Sequence, residues 1–336
     1  MPMVQSNLHI DVFLSGIAGA YKNSNFIADQ VLPVVPSPKE SGKIAQYGLE
    51  HYRIDFNARG MGGDAARGDW QASTPVSFQA QDWEFEIPVD DRQIPYYDDP
   101  FDAMTDATNA AMQKIFLKRE DIVAAVLTST GNFSGMTSAV ASLPGHGAAF
   151  KWLASNAASP TPVADIRFAM ESIRAKTGVG YDNMIGYCSS AVWNALIQTN
   201  DIRALYINTQ AGLAAPAALL PSVIARAIGL ADIFVGPAVK LSTKEGDTAN
   251  TMIDVWAGGI TGGAFGVVCK SAKPSFMAPG FGAIISPTVP GLPGAFVSVD
   301  RYREERKRST VVRAAALFDC IVVTNNLGYL LTGCIA

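Results

Sequence analysis

Between Asp99 and Thr130 the sequence carries one continuous helical register, and that register limits the folds open to the chain. Phe101, Met104, Thr108, Ala111, Ile115, Ile122 and Val126 follow one another at steps of three and four or their sums. Asp99 offers a cap, Pro100 suits the first helical position, and Asp102 favours the positive end of the helix dipole. The block Lys118-Arg119-Glu120-Asp121 interrupts the stripe once, and Gly131 ends it. About 30 residues at ~1.5 Å rise predict a rod of about 45 Å. The average helix is about 11–12 residues long. A rod of that length reads as a structural spine on which other elements lean.

The segments around the spine differ in character. Residues 1–41 read as an arm. Phe13, Ile17 and Tyr21 lie one turn apart and predict a short helix. Pro33, Pro36 and Pro38 then hold the chain extended and keep it off the middle of a sheet. An apolar extended arm has little core of its own and is expected to lie along another surface. Residues 42–90 read as a long β-hairpin. Tyr52, Ile54 and Phe56 alternate with polar residues, as do Val76, Phe78 and Ala80 and then Trp83, Phe85 and Ile87. The glycine-rich stretch from Arg59 to Gly68 forms its tip. A lone two-stranded hairpin is marginal in water, so this one needs a platform.

Residues 161–275 read as an α/β unit. Thr161-Pro162 opens a helix with Ile166, Ala169, Met170 and Ile173 on one face and Gly178 as its stop. A strand from Asn183 to Cys188 leads into Ser189-Ser190, a cap for the next helix. A third helical stretch runs from Pro216 to Gly229, with a break at Pro221. Asp232–Gly236, Met252–Trp256 and Phe265–Cys269 read as strands. So do Val297–Arg303, Arg308–Arg313, Phe318–Val323 and Tyr329–Leu331 in the closing region, 276–336.

Composition sharpens the problem. The chain of 336 residues is 49% hydrophobic and only 17% charged, with a net charge of −4. A typical soluble domain carries about 25% charge. Disorder is excluded by the apolar content. A membrane is not the expected home of the surplus: the longest uncharged stretch, Pro274 to Val299, holds five prolines, which no continuous spanning helix tolerates. Met1 to Asp11 lacks a basic region followed by an apolar core, so synthesis in the cytoplasm without a signal peptide is expected. The surplus is expected to be buried against other protein.

The search for chemistry finds no constellation. Cys188, Cys269, Cys320 and Cys334 are scattered, with no CxxC pair, and read as buried free thiols. His9, His51 and His146 show no metal-ligand spacing with them. Gly259 to Gly266 lacks the lysine of a phosphate loop and reads as a tight turn. Tyr187-Cys188-Ser189-Ser190 sits at a strand-to-helix junction; a buried cysteine beside serine caps fits it better than a nucleophile. The pairs Asp90-Asp91, Asp98-Asp99 and Glu304-Glu305 read as solvated or capping. The densest charge, Arg301 to Arg308, holds five basic and two acidic residues. Mixed signs in strand-like sequence suit ion pairing between subunits; a nucleic-acid patch and a solvated turn are the other readings.

The order of these parts resembles the major capsid proteins of tailed bacteriophages over nearly the whole chain. Tyr21 to Pro36 leading into Ser41–Tyr47 looks like the family's arm. Asp99-Pro100, with Arg119-Glu120 inside the helix behind it, is similar to its spine. Lys176-Thr177-Gly178, Asn183–Gly186 and Val192–Leu196 resemble its axial core, and Ile233–Gly236 with Trp256 its later strands. Arg303 with Glu304-Glu305, Asp319 and Gly328-Tyr329-Leu330 match its closing pattern.

The resemblance implies an α+β capsid fold with an N-terminal arm (1–41), an extension-loop hairpin (42–90), a peripheral domain (91–160) holding the spine helix (about 99–130), an axial domain (161–275) and return strands to the peripheral domain (276–336). It implies a structural, non-enzymatic coat protein that assembles as hexamers and pentamers into an icosahedral shell around double-stranded DNA, as part of a virion assembled in the host cytoplasm. No cofactor, metal or membrane is implied. The implied partners are further copies of the chain, a scaffolding protein, a portal and a possible decoration protein, with only non-specific proximity to the packaged DNA. Candidate contacts between subunits are Arg59, Arg67 and Trp70 on the hairpin, and Arg301, Arg303, Glu304, Glu305, Arg306 and Arg308 near the end of the chain. Two alternatives stay open: an encapsulin-type compartment shell, and a soluble α/β enzyme with an unrecognised site.

Overall fold

The computed structural model describes residues 26–47, 54, 58–67, 72–92, 102–147, 150–153, 160–209, 220–243, 251–274, 278–288 and 297–335. The spine is there as α2 (Ala103–Thr128), 26 residues long. Its cap is Asp102 rather than Asp99: the Asp102 carboxylate accepts from Met104 N–H at 3.1 Å and from the Thr105 hydroxyl at 2.8 Å. Asp99 and Pro100 lie outside the described residues. One face of α2, with Ala111, Met112, Ile115, Val123, Ala124 and Leu127, is buried.

Two five-stranded sheets lie against it. The first is built around the 14-residue strand β13 (Ser309–Val322). It pairs antiparallel with β12 (Val297–Glu304), with β4 (Gln81–Asp90) and, further along, with β11 (Gly282–Pro287). An edge strand from the arm, β1 (Val34–Ser37), joins β11 in parallel. Pro36 is tolerated there because an edge strand has one side free of ladder bonds.

Three readings change at this point. The arm does not lie wholly on foreign surface. Its single helical turn α1 (Ala28–Val31) and Leu32 are buried in the main core of the same chain. The hairpin shown by the described residues is β2 (Ser41–Tyr47) with β3 (Ala72–Gln79). Gln81–Asp90, expected to belong to it, instead forms ten paired positions with β13. Alternation alone could not separate the two, because Trp83 and Ile87 turn toward α2 just as a hairpin face turns toward a platform. Finally, the proline-rich Pro274–Val299 stretch contains β11, buried at every position, so part of it is core.

The second sheet runs β5 (Thr137–Ala139), β14 (Gly328–Thr332), β10 (Ala264–Cys269), β6 (Met184–Ser189), β7 (Asp232–Gly236). Strands β6 and β10 are buried at every position. Helix α3 (Pro162–Thr177) ends at Gly178, whose φ of 69° suits glycine. Helix α4 (Ser190–Gln198) is capped by the Ser189 hydroxyl, α5 (Asn200–Thr209) follows it, and α6 (Pro221–Ile228) starts at the expected proline. The ribbon β8 (Val239–Leu241) with β9 (Met252–Asp254) stands apart from both sheets. Met252–Trp256, expected as one strand, is β9 followed by a 3-10 turn. The closing strand β14 departs from expectation too. It pairs with β10 in the second sheet instead of returning to the first. Each fully buried Leu, Ile or Phe in these layers contributes about 1.5–3 kcal/mol.

Candidate assembly surfaces

The charged interruption of the spine is the point where arm, spine and second sheet meet. Glu120 is fully buried. Its Oε1 and Oε2 accept the Ile27 and Ala28 N–H groups, both at 2.9 Å. These are amides at the start of α1, which lack partners within the helix. Oε1 also accepts the Trp256 indole N–H at 2.6 Å. Trp256 reaches that carboxylate because it lies flat against Gly236, where an added Cβ would come within 2.2 Å of its ring. Burial raises the Glu120 carboxyl above its ordinary range, while the three donors pull it back. Beside it, Arg119 pairs with Asp29 at 2.6 Å and stacks over Phe116. Lys270 donates to the Gln30 carbonyl from the other side of the arm. The arm is therefore clamped to its own chain at Phe26–Leu32.

Among the described residues the hairpin is anchored at its foot. Phe78 packs with Ile285, Ile321 and Val323, with Ile44 alongside. Gln79 N–H donates to the Asp319 carboxylate at 2.9 Å. The described part of the tip, residues 58–67, is exposed throughout, with Arg59, Met61 and Arg67 among its side chains. Trp70 lies outside the described residues.

The first sheet presents a charged outer face. Along β4, Asp82, Glu84 and Glu86 alternate with Trp83, Phe85 and Ile87. Across the sheet, Arg313 pairs with Asp300 (3.0 and 2.6 Å) and reaches Glu84 at 3.6 Å. The Tyr302 hydroxyl donates to Glu86 at 3.1 Å. Burial first, and neighbouring acids after it, raise the carboxyls of Asp82 and Glu84. Charge along an open strand also discourages unplanned edge pairing.

At the end of this sheet, the turn between β12 and β13 carries most of the remaining candidates. Arg303 makes a two-pronged contact with Asp91, one arm of it at 2.5 Å, and lies 3.5 Å from Glu305. Its charge is thus partnered within the chain. Glu304 pairs with Lys307 at 3.1 Å. Arg301, Arg306 and Arg308 are exposed. Arg308 adopts φ +51°, uncommon for a residue with a side chain, and its carbonyl accepts from Asp91 N–H at 3.1 Å. The structure thus gathers Arg301, Arg303, Glu304, Glu305, Arg306 and Arg308 at one sheet end, with Asp91 as a partner that sequence spacing did not indicate.

Apolar surface is also exposed elsewhere. On the β8–β9 ribbon, Val239, Leu241 and Met252 are exposed, while Lys240 turns inward to pair with Asp121 of the spine. A cleft of about 440 Å³ lies between that ribbon and α2, lined by Thr128, Lys240, Asp254 and Gly258 among others. Cys188 is buried and its thiol is raised by burial, an environment that disfavours a nucleophilic thiolate. Burial likewise pushes the Cys269 thiol up to about 12. Among the described residues no cluster of His, Cys, Asp and Glu could hold a metal ion, and no helix is long and apolar enough to cross a membrane.

Comparison with known proteins places this architecture. No family model matches the chain. The major capsid protein of Burkholderia phage BcepMu is 27% identical over 176 residues, 52% of this chain and 54% of that protein. The chain thus matches about half the length of this curated relative. A phage-related protein from Bordetella bronchiseptica RB50 superposes with a TM-score of 0.70 over 97% of both chains at 18% identity. The capsid structure of cyanophage P-SCSP1u superposes with a TM-score of 0.56, covering 91% of this chain and 88% of that one at 12% identity. The mixed α+β fold seen here is the fold of phage capsid proteins.

Proposed function

We propose that this chain is a structural coat subunit that tiles an icosahedral phage shell, as hexamers and pentamers, around packaged double-stranded DNA. The observation that carries the reading is the capsid fold across the whole described chain, joined to a hairpin that is anchored at its foot and bare at its tip. A polypeptide does not keep such a tip for its own stability. In this reading the tip, with Arg59 and Arg67, lies over a neighbour within a capsomer. The end of the first sheet, with Arg301 to Arg308, meets its equivalents between capsomers. The second sheet and its helices surround the capsomer centre. The division into arm (1–41), hairpin, peripheral, axial and closing parts is retained, with Gln81–Asp90 and the closing strand reassigned as above. The role is structural rather than enzymatic. Closed symmetry repeats the same contacts many times, and permanent interfaces of this kind often exceed about 2,000 Å² and are apolar. Further partners in this reading are a scaffolding protein, a portal and a possible decoration protein.

The test is assembly. The full chain, purified alone and with a scaffolding protein, should give discrete particles or capsomer-sized rings by size exclusion and negative-stain microscopy. A monomer that never assembles under either condition would sink the reading. Particles that hold a protein cargo and no DNA when recovered from cells would favour a compartment shell instead. Deleting Arg59 to Gly68 should leave the subunit folded by circular dichroism and abolish particle formation.

A further inference from the structure

The hairpin tip carries a formed turn. Gly63 N–H donates to the Gly60 carbonyl at 3.1 Å, and Gly62 takes φ +81°. A positive φ at the third of four residues is what a type II turn requires, and glycine supplies it without strain. The turn displays Met61 at its corner, fully exposed. Arg59 and Arg67 flank it, both exposed, with Asp64 between them, so two positive charges stand against one negative.

A complementary face lies on the β8–β9 ribbon. Side chains alternate between faces along a strand, and residues paired across strands share a face. The pairs Val239 with Asp254, Lys240 with Ile253 and Leu241 with Met252 therefore put Val239, Leu241, Met252 and Asp254 on one face of the ribbon. Lys240 and Ile253 lie on the other, where Lys240 pairs with Asp121 of the spine and both line the cleft beside α2. The first face is left bare: Val239, Leu241 and Met252 are 43%, 51% and 62% exposed. Asp254 ends this apolar strip with a carboxylate that has no basic partner among the described residues. A two-stranded ribbon is marginal on its own, so cover for this strip would also steady the ribbon.

We propose that the Met61 turn of one copy docks on the β8–β9 face of a second copy, with Met61 on the strip of Val239, Leu241 and Met252 and the flanking arginines facing Asp254. This rests on the coat reading and names the surface that receives the tip. Charge selects the occupant, because the tip is basic on balance and the strip ends in an unpaired acid. Met61 suits the strip, because an unbranched thioether adapts to an irregular apolar surface. Tip and ribbon are different surfaces of one chain, so the contact runs head to tail, each copy giving one tip and taking another. Such contacts close into rings when the rotation per copy is a whole fraction of a turn.

Cross-linking between copies tests this. Full-length Met61→Cys and a size-tagged Leu241→Cys are assembled together and treated with a short bismaleimide. A product joining tagged to untagged chain, absent when either new cysteine is omitted, is expected. Charge supplies a second arm. Asp254→Lys should lower the yield of particles or rings about tenfold with the urea midpoint unmoved, and adding Arg59→Glu and Arg67→Glu to the same chain should restore it. The cross-link decides if Asp254→Lys fails to fold. Wild-type particles, with no joined product and with yield indifferent to the charge reversal, would overturn the docking and leave the coat reading standing. A link formed only within single chains of a Met61→Cys, Leu241→Cys double variant would overturn it as well. A wild-type chain that never assembles would remove the coat reading and the docking together.

Discussion

Two charged regions of the molecule sit at opposite extremes. At the Glu120 junction the carboxylate is sealed from water, and three donors from two other elements converge on it. At the Arg303 turn the ion pairs are tight but open to solvent, with side chains of Arg303 and Asp91 each 40% exposed. The first region holds the subunit to itself. The second does little for the stability of the chain, because exposed pairs gain little over hydration; the proposed shell would place it against neighbouring copies. The difference teaches that in a charge-poor chain burial separates the charge that holds the fold together from the charge that does not.

The comparison can be broken most severely at Glu120. Replacing it with Ala leaves three buried donors unpaired and should cost about 3–5 kcal/mol of unfolding free energy, read by urea denaturation. A loss near that of a surface residue would mean that the arm is not clamped as described. A smaller loss, about 1–3 kcal/mol, is expected for Gly236→Ala, whose new methyl would press into the Trp256 ring and lift the indole away from Glu120. Its effect should not add to that of Glu120→Ala, since both act through one contact. At the exposed extreme, Arg303→Ala should leave the denaturation midpoint almost unmoved while reducing particle yield. Acid titration sharpens the same contrast. The Asp91 carboxyl is held below its usual range, chiefly by the hydrogen bond from Arg303. Its small contribution is therefore present above the ordinary carboxyl range and lost as pH falls further. The Glu120 carboxyl is shifted the opposite way, upward, by burial.

Local pattern was enough for much of this protein. The spine, the helix from Pro162 to its glycine stop, the Ser189 cap and the strand Asp232–Gly236 all follow from residues within a turn or two of each other. So did the order of parts from which the capsid fold was expected. Helix α5 was missed, because Asn200 to Thr209 has no strong apolar face to betray it. The apolar stretch that holds β11 reads as surplus to be buried against other protein, because its prolines hide a strand that is in fact core of the same chain.

The candidate surfaces divide in the same way. The cluster at Arg301 to Arg308 is visible as a run of charge, yet its anchor Asp91 is 212 residues distant. Glu120 looked like a mere interruption of an apolar stripe. Nothing within its helix turn shows that its partners lie 93 and 136 residues away. The sequence by itself determined the elements, because periodicity, caps and stops act over a few residues of backbone. Only the tertiary structure decided where charge is spent, because burial and long-range hydrogen bonds belong to no single segment and exist only once the layers have closed on one another.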